Sequence, residues 1–247
     1  MRYLVDLHTH TTASGHAYST IIETAQYAAK RGLQLFATTD HGPAIQGGPH
    51  AIHFRNLHIV PYVVEDVALL RGVELNIMPD GSVDLPDETL AKLDIVLAGF
   101  HGHYHPRCME DDTNTLIKVM ASGKVDIIAH PDNRTYQLDY QRLCEASLEY
   151  KVALEINASS VVVRPGSEDN LRTMLAVARK VGNPLSLGSD AHFAYKVGDF
   201  RSVMPFIEEA EIPACQIINV SPCAVLDFLE SRGHKRIDEL RERFEFA

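Results

Sequence analysis

The length, composition and charge of this chain exclude several classes of protein. At 247 residues, with 45% hydrophobic and 23% charged residues, it has the composition of a soluble globular protein long enough for one α/β barrel or two small domains. A formal net charge of -10 argues against binding to nucleic acid backbones or anionic membranes, because both attract a positive protein surface. The four cysteines form no Cys-x-x-Cys pair and no apolar run reaches membrane-spanning length, so we expect free thiols in a soluble, cytoplasmic protein.

The first polar motif lies at the end of the first predicted strand. The segment 6–10 (DLHTH) directly follows the apolar run 3–5. Residues two apart on an extended chain share a face, so His8 and His10 can reach one metal ion, and Asp6 can orient them. A third histidine, His16, follows in a polar turn.

Predicted strands and helices alternate along the chain. The seven strand candidates are 3–5, 33–39, 69–77, 94–101, 125–129, 152–157 and 185–189. The predicted helices are 20–31, 86–92, 113–122, 139–150, 168–181, 199–209 and 222–230. The Gly-, Pro- and His-rich segment 42–61 is expected to be a long functional loop. Short strands joined by helical crossovers predict a parallel sheet.

Metal-binding side chains lie at or near the carboxyl ends of six predicted strands. Together with His16 they are His8, His10, His41, Glu74, His101, His130, Asp190 and His192. In a parallel βα barrel these strand ends converge on one mouth. Nine ligands exceed what one tetrahedral ion needs, so we expect two or three metal ions, with Glu74 as the bridge. Histidine and carboxylate donors favour zinc, manganese, iron or cobalt over calcium or magnesium.

Sites with several metal ions of this kind hydrolyse esters. A bridging water loses its proton near neutral pH, and the metals neutralise the charge that develops. A phosphate ester fits such a site better than an amide does.

Nearby polar residues have two interpretations each. Asp40 either orients a neighbouring histidine or is a simple turn residue. Arg134 and Arg164 either grip phosphate or lie in solvent. Glu155 and Asn157 either face the mouth of the barrel or only support it.

Taken in order, the motifs resemble those of the PHP family, named for polymerase and histidinol phosphatase. They are 6–11 (DLHTHT), 39–41 (TDH), Glu74, His101, 130–131 (HP) and 189–192 (SDAH). Within that family, the segments 154–160, 166–170 and 219–222 are similar to the YcdX-type bacterial phosphatases. The resemblance implies a distorted seven-stranded (β/α)7 TIM-like barrel, a single hydrolase domain over 1–247, and a trinuclear, zinc-type centre.

The resemblance also implies three sets of ligands. His8, His10, Glu74 and Asp190 would hold one ion. Glu74, His101 and His130 would hold a second. His16, His41 and His192 would hold the third, which is shared with substrate or water.

We therefore expect a metal-dependent phosphatase that hydrolyses a small phosphate monoester with a metal-bridging hydroxide. Glu74 would bridge the metals, and Asp190 or a nearby histidine such as His192 would assist proton transfer. One alternative is a phosphodiesterase or exonuclease, as in polymerase-associated PHP domains, and another is a catalytically idle metal-binding domain that serves a partner. The oligomeric state and the natural substrate stay open at this point.

Overall fold

The main sheet is parallel and nearly closes on itself. The structure, a computed structural model, describes residues 2–245. The parallel strands lie in the order β1 (Val5–Asp6), β2 (Leu35–Thr38), β4 (Val67–Asn76), β5 (Ile95–Gly99), β6 (Ile127–Ile128), β7 (Ala153–Asn157) and β8 (Leu185–Gly188). The first and last strands approach through a hydrogen bond from Leu7 N to Leu187 O (3.3 Å) and a parallel bridge between Thr9 and Ala191. The predicted seven-stranded TIM-like barrel is confirmed.

Helices connect successive strands, and within residues 2–245 three more α-helices follow β8. The first, α1 (Ile21–Arg31), begins with a capping box, in which the Thr20 side chain accepts from Glu23 N and the Glu23 side chain accepts from Thr20 N. The others are α2 (Ala51–Asn56), α3 (Asp87–Leu90), α4 (Met109–Ala121), α5 (Tyr140–Tyr150), α6 (Ser160–Val163), α7 (Ser167–Val181), α8 (Met204–Glu209), α9 (Pro222–Ser231) and α10 (Asp238–Glu245). Across residues 2–245, the helices are too short or too polar to cross a bilayer.

Several boundaries differ from the prediction. The segment 42–61 contains α2, and a short strand, β3 (Val63–Val64), pairs antiparallel with β4. Helix α4 begins at Met109 rather than 113, because three acidic residues in its first turn favour the positive end of the helix dipole. Helix α8 begins at Met204 rather than 199, with a proline in its first turn.

Two layers of buried apolar side chains stabilise the barrel. Alternate residues of successive strands, such as Val5, Leu7, Leu35 and Ala37, pack with α9 and α10 in one cluster. Since alternate residues share a face, this cluster fills the inside of the barrel. Helices α4, α5 and α7 cover the other face of the sheet. The carboxyl ends of the strands are left free to carry polar side chains.

Candidate metal centre

Glu74 lies at the centre of the predicted ligands. It projects from β4 and is fully buried. Its Oε2 lies 2.8 Å from His41 Nδ1, 3.3 Å from His8 Nε2 and 3.5 Å from His10 Nε2. Its Oε1 lies 2.7 Å from His130 Nε2 and 3.1 Å from His101 Nε2. One carboxylate therefore touches ligands from four other strand ends, as a bridging ligand must.

Asp190 completes the set around His8 and His10. Its Oδ1 lies 3.3 Å from His10 Nε2 and 3.7 Å from His8 Nε2. Its other oxygen, Oδ2, accepts hydrogen bonds from Arg164 Nη2 (3.1 Å) and Asn157 Nδ2 (3.3 Å). The orientation of the carboxylate is thereby fixed, with one oxygen left for the histidines.

Hydrogen bonds on the far side of the rings determine the tautomers of His8 and His10. His8 Nδ1 lies 2.7 Å from Glu155 Oε1 and donates to it, which leaves the lone pair on Nε2. His10 Nδ1 lies 3.0 Å from Ser14 Oγ, and that hydroxyl donates to Asp40 Oδ1 at 2.6 Å. His10 must therefore donate to Ser14, which leaves its lone pair on Nε2 as well. In the neutral rings, two lone pairs face each other at 3.0 Å.

This arrangement of acceptors fits a divalent metal ion. The two Nε2 atoms, Glu74 Oε2 and Asp190 Oδ1 are separated by 3.0 to 3.7 Å in the five measured pairs. Ligands placed at zinc distances on the corners of a tetrahedron are about 3.3 Å apart. Within residues 2–245, Glu74 Oε2 and His41 Nδ1 are buried without a hydrogen bond, although only 2.8 Å separates them. A bound cation would satisfy both atoms.

The protonation states of four proposed ligands suit metal binding at neutral pH. Burial lowers the pKa of His10 to about 3 and that of His130 to about 4, so both rings are neutral. Burial alone would raise the pKa of Glu74 and Asp190, but the neighbouring imidazoles, His8 first, hold both pKa values well below the ordinary range. Ionised carboxylates and neutral imidazoles are the forms that bind metals.

The pKa of His8 also indicates that the site favours positive charge. Burial alone would lower the pKa of its ring. The charges of Glu155, Glu74 and Asp190 outweigh burial and hold the pKa well above its usual value. The site therefore favours a positive charge at this position, whether a proton or a metal ion supplies it.

The last three predicted ligands meet at the surface of the site. His16 Nε2 lies 3.0 Å from His192 Nε2, and the His16 ring stacks on His41 with centroids 5.0 Å apart. His192 Nδ1 lies 3.0 Å from the Asp190 carbonyl oxygen and donates to it, which leaves Nε2 free to bind a metal. These three histidines and Asp190 line a cavity of about 960 Å³. Six of the nine predicted ligands thus line this cavity, and the other three, His8, His10 and His130, contact Glu74 beneath it.

Asp40 lies behind the ligands and holds a turn. Its Oδ1 accepts from Thr11 N (2.7 Å) and from the Ser14 hydroxyl, and its Oδ2 accepts from the Thr11 hydroxyl (2.7 Å). The pKa of Asp40 is lowered, although burial opposes the change, because His53, His10 and Ser14 stabilise the carboxylate. Asp40 contacts His10 through Ser14 and also holds the turn through Thr11, so its contacts agree with both of its predicted roles.

Arg164 lines the cavity and contacts Asp190, whereas Arg134 is exposed in an adjoining depression beside it. Within the described residues, the Asp6 side chain makes no hydrogen bond to an imidazole ring. It accepts from the backbone N–H groups of His8, Ser189 and Gly198, and it therefore holds the chain rather than the rings.

Sequence reasoning missed Ser14 and left Glu155 open. Glu155 Oε1 binds His8, and its Oε2 accepts from His130 N at 2.7 Å. Gly188 makes room for this contact, since a Cβ at that position would lie 1.9 Å from Glu155 Oε1. A glutamate in the middle of an apolar strand, as at 74, was the signal that could have identified Glu155.

Comparison with known proteins identifies the family of this chain. The model of the PHP domain matches residues 6–159. This chain belongs to the PHP domain family. Asp190 and His192 lie beyond the matched residues, yet both contact ligands within them.

Relatives align with the chain over almost its whole length. A protein named "Probable phosphatase" from Aeromonas hydrophila is 47% identical over 245 residues, covering 98% of this chain and 100% of its own. One of the same name from Shewanella sediminis is 46% identical over 245 residues, with the same coverage.

A solved structure shares the fold. Histidinol phosphate phosphatase from Lactococcus lactis, solved with zinc, L-histidinol and phosphate, superposes with a TM-score of 0.59 at 15% identity, over 85% of this chain and 94% of that one.

Proposed function

We propose that this chain is a metal-dependent phosphatase that hydrolyses phosphate monoesters, with 1–247 acting as one hydrolase domain. The observation that carries the proposal is the convergence of lone pairs from His8, His10, Glu74 and Asp190 at tetrahedral spacing. The names of the relatives from Aeromonas and Shewanella support a phosphatase, and the Lactococcus structure, with its zinc and phosphate, supports the cofactor and the substrate class.

The centre is proposed to hold about three ions, zinc being the first choice, with manganese, iron or cobalt as possible substitutes. The three ligand sets are His8, His10, Glu74 and Asp190; Glu74, His101 and His130; and His16, His41 and His192. His41 belongs to the third set through His16 and also touches Glu74, so it connects that set to the bridge. Bound ions would neutralise phosphoryl charge and acidify a water molecule.

The residues of the chain are proposed to bind and orient the ester. Arg164 contacts Asp190 through Nη2 and lies on the cavity wall, where its charge can attract a phosphate oxygen. Asp190 is ionised and fixed by Arg164 and Asn157, so it is placed to accept a proton from the attacking water. His192 lies beside it, partly open to the cavity, and can pass a proton outward.

Phosphate release from a panel of monoesters tests the proposal. Zinc-loaded wild type should release phosphate, and Glu74→Gln should lower kcat/KM by at least about 100-fold, because one bridging oxygen is lost. Glu88→Gln, an exposed substitution on α3, should match wild type. Cleavage of short DNA without any monoester turnover would instead indicate a phosphodiesterase. Full metal loading without turnover would indicate an idle domain.

A further inference from the structure

The cavity above the proposed metal centre has apolar walls. Four large apolar side chains line it and are strongly exposed: Tyr18 (74%), Val162 (71%), Val163 (62%) and Phe193 (45%). Large apolar groups that remain open to solvent around a cavity commonly mark a ligand-binding surface.

These side chains stand on both sides of the phosphate end of the cavity. Phe193 directly follows His192, and Tyr18 N donates to the His192 carbonyl oxygen at 2.9 Å, so both aromatic residues flank the third ligand set. Val162 and Val163 belong to α6 and directly precede Arg164. A phosphate group held near Arg164 and Asp190 would therefore extend its ester group between the two apolar walls.

Several polar groups on the same walls are already engaged, although the exposed Lys196 ammonium also lies there, 3.8 Å from Asp199 Oδ2. The Ser159 hydroxyl donates to Ser189 O (2.9 Å), and the Ser202 hydroxyl donates to Ala158 O (2.6 Å). Arg201 Nε and Nη2 donate to the two carboxylate oxygens of Asp199 at 2.7 and 2.8 Å. The hydroxyl hydrogens of the two serines and these Arg201 N–H groups are therefore not available to the hydroxyl groups of a polyol.

The wall formed by Phe193 is supported from behind. Its ring packs against Tyr195 at 4.7 Å between centroids, and Tyr195 packs against Tyr27 at 4.5 Å. A ring held in this way offers a firm face on which a flat ligand can stack.

We infer that the substrate is a phosphate monoester whose alcohol carries an aromatic or apolar ring, rather than a polyol phosphate. This inference rests on the proposed function and names the substrate class for the same site. The apolar walls would bind the ring, and the polar floor would bind the phosphate.

Benzyl phosphate and glycerol 3-phosphate test the inference, because both have alkyl leaving groups of similar reactivity. Zinc-loaded wild type should show a kcat/KM at least about 10-fold higher for benzyl phosphate. Phe193→Ala should lower the ratio of kcat/KM for benzyl phosphate to kcat/KM for glycerol 3-phosphate about 5-fold or more. Val162→Ser should lower this ratio less. Ile59→Ala, an exposed apolar substitution away from the cavity, is the control and should keep the wild-type ratio. Equal kcat/KM values for both esters, or a ratio unchanged in both cavity variants, would overturn the inference.

A binding measurement separates this inference from the proposed function. Benzylphosphonate, which cannot be hydrolysed, should bind zinc-loaded wild type at least about 10-fold more tightly than 3-hydroxypropylphosphonate, and Phe193→Ala should reduce the difference. This preference without turnover of any ester would uphold the ring-binding surface and reject the phosphatase. Turnover of the esters without this binding preference would uphold the phosphatase and reject the ring-binding surface.

Discussion

At the scale of single residues, two proposed ligands have strained backbones. His130 has a φ of 34° and Asp190 a φ of 52°, in the left-handed region that favours glycine. Hydrogen bonds hold both: His130 N donates to Glu155 Oε2 at 2.7 Å, and Asp190 N donates to His8 O at 2.9 Å. Strain of this kind is maintained where the surrounding structure compensates for it, and it concentrates at functional sites.

Glu155 is the residue on which this arrangement depends most. Both of its oxygens accept hydrogen bonds, from His8 Nδ1 and from His130 N. In Glu155→Gln, an amide NH2 group would face one of these donors. We expect metal affinity to fall by about 10- to 100-fold while the fold is kept, as measured by competition with a metal-binding dye.

The matched control is Glu145→Gln on α5, where the side chain only accepts from exposed Gln141. It should bind metal like wild type. Equal metal affinity in Glu155→Gln and wild type would contradict the role of Glu155 in orienting His8.

The sequence predicted the cluster of proposed ligands better than the residues that orient them. Histidine and carboxylate side chains at strand ends can be recognised from residue type and position alone. Ser14 could not be recognised, because its contacts with His10 and Asp40 depend on the turn that follows β1. The role of Glu155 depends on which neighbour faces it across the barrel.

At the scale of elements, hydrogen bonds connect the residues after α9 to the beginning of β6. Asp126 precedes β6 and is buried, and its carboxylate accepts from Arg232 Nε (3.3 Å) and His234 Nε2 (2.9 Å). Burial alone would lower the pKa of His234, but Asp126 raises it above its ordinary value. Protonated His234 therefore stabilises the closure of the barrel by the C-terminal helices.

The hydrogen bond between His234 and Asp126 predicts a pH-dependent contribution to stability. Because the folded-state pKa of His234 is raised, its contribution is complete below the unfolded pKa of about 6.5 and is lost as pH rises through the folded value. His234→Gln should lower the free energy of unfolding by about 1 kcal/mol at pH 6 and by less at pH 9, measured with urea. His105→Gln, in an exposed loop, should show no such trend. A loss of unfolding free energy in His234→Gln that grows as the pH rises would contradict this account.

At the scale of the whole molecule, the parallel barrel explains how distant residues form one site. Alternation of strands and helices was sufficient to predict a parallel sheet, because parallel pairing needs crossovers, whereas the closed barrel was implied by the family resemblance. It could not predict β3 or α2, which are short and lie in an irregular segment. The apolar cavity walls were not predicted from the sequence, since Tyr18 and Phe193 lie in loops and Val162 in a short helix, where no periodicity marks them.

The net charge of -10 also agrees with a metal-dependent site. Three buried carboxylates, Glu74, Glu155 and Asp190, lie within one group of histidines. Bound cations would offset this local negative charge and allow an acidic protein to bind an acidic substrate.

Elemental analysis of the purified protein tests the central claim most directly. Wild type should contain about three transition-metal ions per chain, and Glu74→Gln, with an unchanged circular dichroism spectrum, should contain fewer because it loses a shared ligand atom. Substoichiometric metal in wild type that added zinc or manganese does not restore would contradict the account, since it would mean that the converging histidines and carboxylates do not form a metal centre.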